Sequence, residues 1–197
     1  MIQNPIHLRL AKLSNQQLTL FMVCLCERMY PNFAFYCQQT GNTDHRIYKN
    51  ILDLIWETLL VKNTKINFDN QLEKLEEIIP LAQPDSVYSV YPAIDACQAL
   101  SELLHANLSG DFIEFAVSIS QLSLKTIAEL EMNQTNQQLS IDEIKTLPAI
   151  LDELDIQWEI YRLIKNDEIN NGLAFIKGLK QDLREDQISN IGVFLSN

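Results

Sequence analysis

Acidic residues spaced four apart within otherwise apolar segments are the side chains here whose type and spacing suit chemistry. Asp53, Trp56 and Glu57 form a D-x-x-W-E run, and Asp155, Trp158 and Glu159 repeat it. On a helix, the two carboxylates of each run share a face, with the tryptophan at its border. Exposed, such a pair repels by roughly a few tenths of a kcal/mol. Desolvated, it needs a cation, a metal or a shared proton. Lys49, four before Asp53, and Arg162, three after Glu159, supply local counter-charge. Ordinary amphipathicity is the plainer explanation of the repeat; a matched pair of cleft-lining helices is the alternative, and remote internal duplication a third.

A third acidic segment holds Asp95, Gln98, Glu102 and His105. At helical spacing these four fall within an arc of about 80°, opposite Ala96, Leu100, Leu103 and Leu104. Glu102-x-x-His105 has the spacing that gives one Glu and one His to a metal in di-iron bundles, but that chemistry needs two such pairs and two further glutamates. Only one pair occurs and the chain has three histidines, so no metal and no cofactor is expected. The plainer alternative is a solvated polar stripe. If the three acidic segments converge, Asp53, Glu57, Asp95, Glu102, Asp155 and Glu159 line one cleft, with Arg28 or Arg162 as counter-charge. That arrangement would suit a carboxylate-based, hydrolase-like enzyme.

Cys24, Cys26, Glu27, Arg28 and Tyr30 end an apolar run. The two cysteines lie in the body of a helix without a histidine or a helix N-terminus, so they read as buried structural thiols. Arg28 keeps its charge anywhere and is expected to pair with a carboxylate or to reach solvent. Cations Lys177, Lys180 and Arg184 share one face near the end of the last helix, where the helix dipole favours them.

The elements that must position these residues are all helical. Asn4-Pro5 opens a short helix over Ile6 to Leu13, and Ser14 with Gln17 is a capping box for Leu18 to Tyr30. Pro31 is expected to begin a separate short helix that Gly41 ends. Asp44 caps a helix carrying Ile47, Ile51, Leu54, Ile55 and Leu59, and Asp69 starts another that Pro80 stops. Val87 to Tyr91 alternates weakly, like a strand without a partner. Pro92 opens a helix closed by Ser109-Gly110, and Asp111 caps a run to about Met132. Ser140 with Glu143 is a second capping box, Pro148 leads a helix to Ile164, and Asp167 begins the last one, ending near Arg184. The apolar tail packs back onto the body. The expected fold is all-α: a single domain over residues 1–197, eight or nine helices in an orthogonal or irregular bundle.

Composition narrows the partners. In 197 residues, 26 Asp and Glu face 15 Lys and Arg, a formal charge of -11 that disfavours nucleic acid and anionic membranes. Residues 1–65 carry +3 and residues 66–197 carry -14, an asymmetry that could pair two subunits, so a homodimer is expected. Four cysteines without a CxxC indicate a reducing, cytoplasmic setting. No apolar stretch is long enough to span a bilayer. No glycine-rich phosphate loop or catalytic triad motif occurs.

Several runs, in order, resemble the YjaG-like family of bacterial proteins, a domain of unknown function (416). They are Cys24 to Asn32, Asp53 to Glu57, Tyr91 to Cys97, Asp155 to Glu159 and Ser189 to Gly192. The resemblance covers essentially the whole chain and implies a compact all-helical domain of the proteobacterial cytoplasm. It brings no activity, substrate or catalytic residue. It does direct attention to the stretches around Arg28, Trp56, Asp95 and Trp158. The function expected from these readings is a non-catalytic binding or scaffold protein marked by an apolar groove between helices, with a protein partner. The alternatives are the carboxylate enzyme above and a nucleic-acid-associated regulatory protein.

Overall fold

The computed structural model describes residues 4–166 and 172–195. Among these, nine helices follow one another: α1 (His7–Leu10), α2 (Asn15–Thr40), α3 (His45–Leu60), α4 (Phe68–Glu76), α5 (Val90–Ser109), α6 (Phe112–Thr135), α7 (Ile141–Ile144), α8 (Pro148–Asn166) and α9 (Gly172–Asp186). The only extended pairing among the described residues is an isolated bridge between Ile188 and Phe194. The chain is an all-α orthogonal bundle, as its caps and three-four periods predict. The expected helix start at Asp167 lies outside the described residues.

Helix α2 is the axis, packing against α3, α5, α6, α8 and α9. It can be central because its residues are apolar nearly all round: Leu18, Phe21, Met22, Val23, Cys24, Leu25, Cys26 and Met29 are all buried. A buried side chain of this size contributes about 1.5–3 kcal/mol. Its start is the expected capping box, with both the Ser14 and the Gln17 halves formed. Its end is Gly41, whose φ of 71° requires a residue without a Cβ penalty.

Between those ends Pro31 does not break the helix. Proline lacks the N–H that Glu27 O would accept, yet Met29, Phe33, Ala34 and Cys37 on both sides are buried in the main core, and their packing outweighs the lost bond. One helix of 26 residues replaces the two expected. Glu27 and Arg28 consequently lie at mid-helix instead of at an end.

Other starts differ locally. Asn67, not Asp69, caps α4 by accepting from Asn70 N–H, because only Asn67 has the extended backbone of a cap. Asp44 sits at the N-cap of α3 with helical φ and ψ and no side-chain cap bond. Asp111 at the head of α6 likewise makes none. The weakly alternating Val87 to Tyr91 is turn and the first residues of α5, since no strand among the described residues is available to pair with it. Ser140 and Glu143 form their capping box on α7. The tail returns to the body, with Ser189 and Asn190 buried and Asn190 N–H donating to Arg28 O. A smaller core of Leu124, Ile127, Ala128, Ile144 and Ile150 joins α6, α7 and α8.

Candidate functional site

Adjacent positions on α2 anchor two buried charge networks that diverge to different sides of the helix. Glu27, with 2% of its side chain exposed, faces α3 and α9. Trp56 Nε1 donates to its Oε1 at 2.9 Å, and Arg184 adds Nε at 3.0 Å and Nη2 at 2.6 Å to the same oxygen. Lys49 Nζ reaches Oε2 at 3.0 Å. Arg184 also bridges to Asp53 at 2.8 Å, where Lys180 contributes a second ion pair at 2.8 Å.

These contacts have electrostatic consequences. Burial would raise the pKa of Asp53, but Lys180 and Arg184 outweigh it and hold the carboxyl below its ordinary range. Burial opposes the charge on Arg184, and Glu27 and Asp53 reverse that, so the guanidinium is held more firmly charged than usual. For Lys49 burial prevails over Glu27 and its pKa is lowered. Its ammonium lies 4.5 Å from the centre of the Tyr30 ring. Burial first, then Glu27, pushes the Tyr30 phenol up to about 12. A cavity of about 370 Å³ opens beside this cluster, with Glu27, Tyr30, His45, Lys49 and Arg184 among its walls.

The second network starts one residue on. Arg28 Nη2 pairs with Glu153 Oε2 at 2.8 Å, and the Glu153 side chain is fully buried. Its other oxygen accepts from Ser123 Oγ at 2.8 Å and Gln157 Nε2 at 3.0 Å. Gln157 Oε1 in turn accepts from Asn4 Nδ2 and from the Ser120 hydroxyl. With that proton committed, His7 Nε2, 3.0 Å from Ser120 Oγ, is assigned as the donor. Asn190 Nδ2 donates to Ser123 Oγ at 3.0 Å, tying in the tail. Both oxygens of the buried Glu153 carboxylate are thus matched, which is what a buried charge requires, while the buried Nε of Arg28 has no hydrogen-bond partner among the described residues.

The acidic residues singled out from sequence have separate surroundings. Asp53 and Trp56 join the Glu27 cluster, while Glu57 is exposed on α3. Asp95 is buried between α5 and α6, accepting from Thr126 Oγ1 at 2.8 Å and Lys125 at 3.2 Å. Glu102 takes a bond from Gln98 at 3.0 Å, and His105 is exposed, stacked on Phe115 at 6.2 Å. On α8, Asp155 is exposed and Glu159 pairs with exposed Arg162 at 3.0 Å. Trp158 is half-buried, edge-on to Tyr161. None of these six carboxylates lines any of the four cavities found on the described residues. Among the described residues, no three His, Cys, Asp or Glu side chains are grouped as a metal site would need.

Glu27 as a hub and Glu153 altogether escaped the sequence reading. The available signal for Glu27 was a single carboxylate closing an apolar run, which at mid-helix must be buried and therefore compensated. The four cysteines are free and buried. Burial raises Cys24, Cys26 and Cys97 well above the ordinary thiol range and Cys37 to about 11. None is poised as a nucleophile.

Another cavity, about 470 Å³, is an open groove along α6. Leu122, Ala128, Met132, Ile141 and Ile144 form its apolar surface, with Gln98, Gln121, Lys125 and Glu129 at its polar positions. Its floor is the smaller core, and Ile141 on α7 remains 49% exposed. The same turn of α7 presents Asp142 and Glu143, both exposed. No described helix is long and apolar enough to cross a membrane.

Comparison with known proteins matches this architecture over its full extent. The chain is 58% identical over 193 residues to a protein of Escherichia coli (strain K12) named "Uncharacterized protein YjaG", covering 98% of each. It is 47% identical, with the same coverage, to an uncharacterized protein of Haemophilus influenzae Rd. The crystal structure of a DUF416 family protein from Shewanella baltica OS155 superposes with a TM-score of 0.88 at 30% identity, covering 98% of this chain and all of that one. Residues 5–194 match the family described as "Protein of unknown function (DUF416)", and the chain belongs to that family.

Proposed function

We propose that this protein is a non-catalytic binding protein that receives an amphipathic, basic helix of a protein partner in the groove along α6 and α7. The observation that carries this reading is an open groove of about 470 Å³ whose walls are mainly aliphatic and whose edge holds a half-exposed isoleucine, Ile141. A partner helix would place residues i, i+3, i+4 and i+7 against Leu122, Met132 and Ile144. Its opposite face would be basic, because residues 66–197 carry a formal charge of -14 and α7 carries Asp142 and Glu143 beside Ile141. The buried carboxylates Glu27, Asp95 and Glu153 already accept from cations, hydroxyls, amides or an indole, which favours binding over carboxylate catalysis.

The test uses labelled helical peptides that share one apolar face and differ in the other: lysine-rich, glutamate-rich, and lysine-rich with scrambled order. Fluorescence anisotropy should show saturable binding of the ordered basic peptide alone, weakened by salt. Ile141→Asp should weaken it at least about tenfold while leaving the circular dichroism spectrum unchanged. Equal binding of the scrambled peptide, or no response to Ile141→Asp, would overturn the reading.

A further inference from the structure

The cavity beside Glu27 lies on different elements from the α6–α7 groove and shares no lining residue with it. Two cations, Lys49 and Arg184, stand on its wall with 28% and 26% of their side chains exposed. Glu27 itself is sealed at 2% and already accepts from three side chains. It therefore holds the cations in place without being available to a ligand. The linked cluster contains three positive groups, Lys49, Lys180 and Arg184, against two negative ones, Glu27 and Asp53. One positive charge is left over in a chain whose total is -11.

A second observation falls on the same wall. His45 lines the cavity and has a buried Nδ1 without a hydrogen-bond partner among the described residues. The remaining surface joins an apolar wall of Pro31, Ala34, Leu183 and Leu195 to the amides Gln38 and Gln187, with the Tyr30 ring beneath the Lys49 ammonium. A surplus single charge, fixed donors and an apolar wall describe the complement of an organic monoanion.

We infer that this cavity binds a small organic monocarboxylate, its carboxylate at Lys49 and Arg184 and its short apolar body against Pro31, Ala34 and Leu183. A dianion such as phosphate over-compensates the one surplus charge and leaves the apolar wall uncovered. Trp56 is a built-in reporter, because its indole N–H is bonded to the Glu27 carboxylate that holds both cations.

In the Trp158→Phe protein, whose tryptophan fluorescence comes from Trp56 alone, straight-chain carboxylates from acetate to hexanoate are titrated at constant ionic strength. Inorganic phosphate, succinate and the neutral amides serve as comparisons. The expected result is a saturable change that tightens with chain length and is absent with the amides. Lys49→Gln should weaken it at least about tenfold, Lys49→Arg should retain it, and the surface variant Lys125→Gln should leave it unchanged. Gln38→Phe removes no charge but fills the exposed mouth of the cavity, and should abolish binding even if Lys49→Gln proves too unstable to titrate. A cluster that merely fastens α9 would give no saturable signal with any carboxylate, which would overturn the inference. Tighter binding of phosphate, or equal binding by the amides, would overturn the ligand class. Ile141→Asp, which tests the groove, should have no effect on this titration.

Discussion

Trp56 and Glu27 meet across α2 and α3 with the indole N–H donating to the carboxylate at 2.9 Å, and both residues are buried. The bond fixes one end of a cluster that reaches through Arg184 to α9. A single carboxylate thus ties the neighbouring helices α2 and α3 to α9, far along the chain.

Removing that carboxylate should be expensive. Glu27→Ala leaves Lys49, Arg184 and the Trp56 N–H without their shared acceptor, and breaking a buried pair costs about 3–5 kcal/mol. The urea midpoint should fall with little change in slope. Glu27→Gln should cost less, since its amide oxygen can still accept from Trp56.

Arg28 and Glu153 allow a test of charge compensation itself. Arg28→Met should destabilise by about 3 kcal/mol because it strands a fully buried carboxylate. Adding Glu153→Gln removes that charge while an amide oxygen still accepts from Ser123. The double variant should therefore be more stable than Arg28→Met alone by about 1 kcal/mol or more. Additive losses in urea unfolding would contradict this.

How much of this was legible in the sequence follows the range of the interactions. Caps are local, so Ser14 with Gln17, Ser140 with Glu143, and Gly41 were all readable from a few residues. Pro31 was misleading because the packing that carries the helix past it comes from α3, α5 and α6, which no local rule sees. That difference has a consequence: Glu27 and Arg28, expected at a helix end, lie at mid-helix, where Arg28 meets the carboxylate partner its permanent charge predicts. Asp53 and Trp56 stood out by pattern, but their partner Arg184 lies more than a hundred residues away, and Glu153 looks like any other carboxylate on an amphipathic helix. Its burial is decided by Arg28 and Ser123 on other helices.

His7 should give stability a pH dependence in the mildly acidic range. Burial holds its pKa below the ordinary 6.5. The unfolded chain takes up a proton near 6.5 while the folded one resists, so the unfolded state binds more protons there. The stability contributed by neutral His7 is full above 6.5 and declines as pH falls towards the folded value. Urea midpoints measured between about pH 7 and pH 5 should fall, and His7→Gln should flatten that part of the curve.

The thiols should be silent in the native protein. All four are buried, with pKa values raised by desolvation. Ellman's reagent at neutral pH should report almost no fast-reacting thiol until denaturant is added, and then all four. A rapidly reacting cysteine in the native state would show that one of these positions opens to solvent.

The groove can be examined at atomic resolution with protein carrying labelled isoleucine and methionine methyl groups. On titration with the ordered basic peptide, the methyl signals of Met132, Ile141 and Ile144 should shift together and saturate. Those of Met22 and Met29, buried in the main core around α2, should stay in place. Shifts centred on other methyls, with Met132, Ile141 and Ile144 unmoved at saturating peptide, would contradict a binding role for the α6–α7 groove.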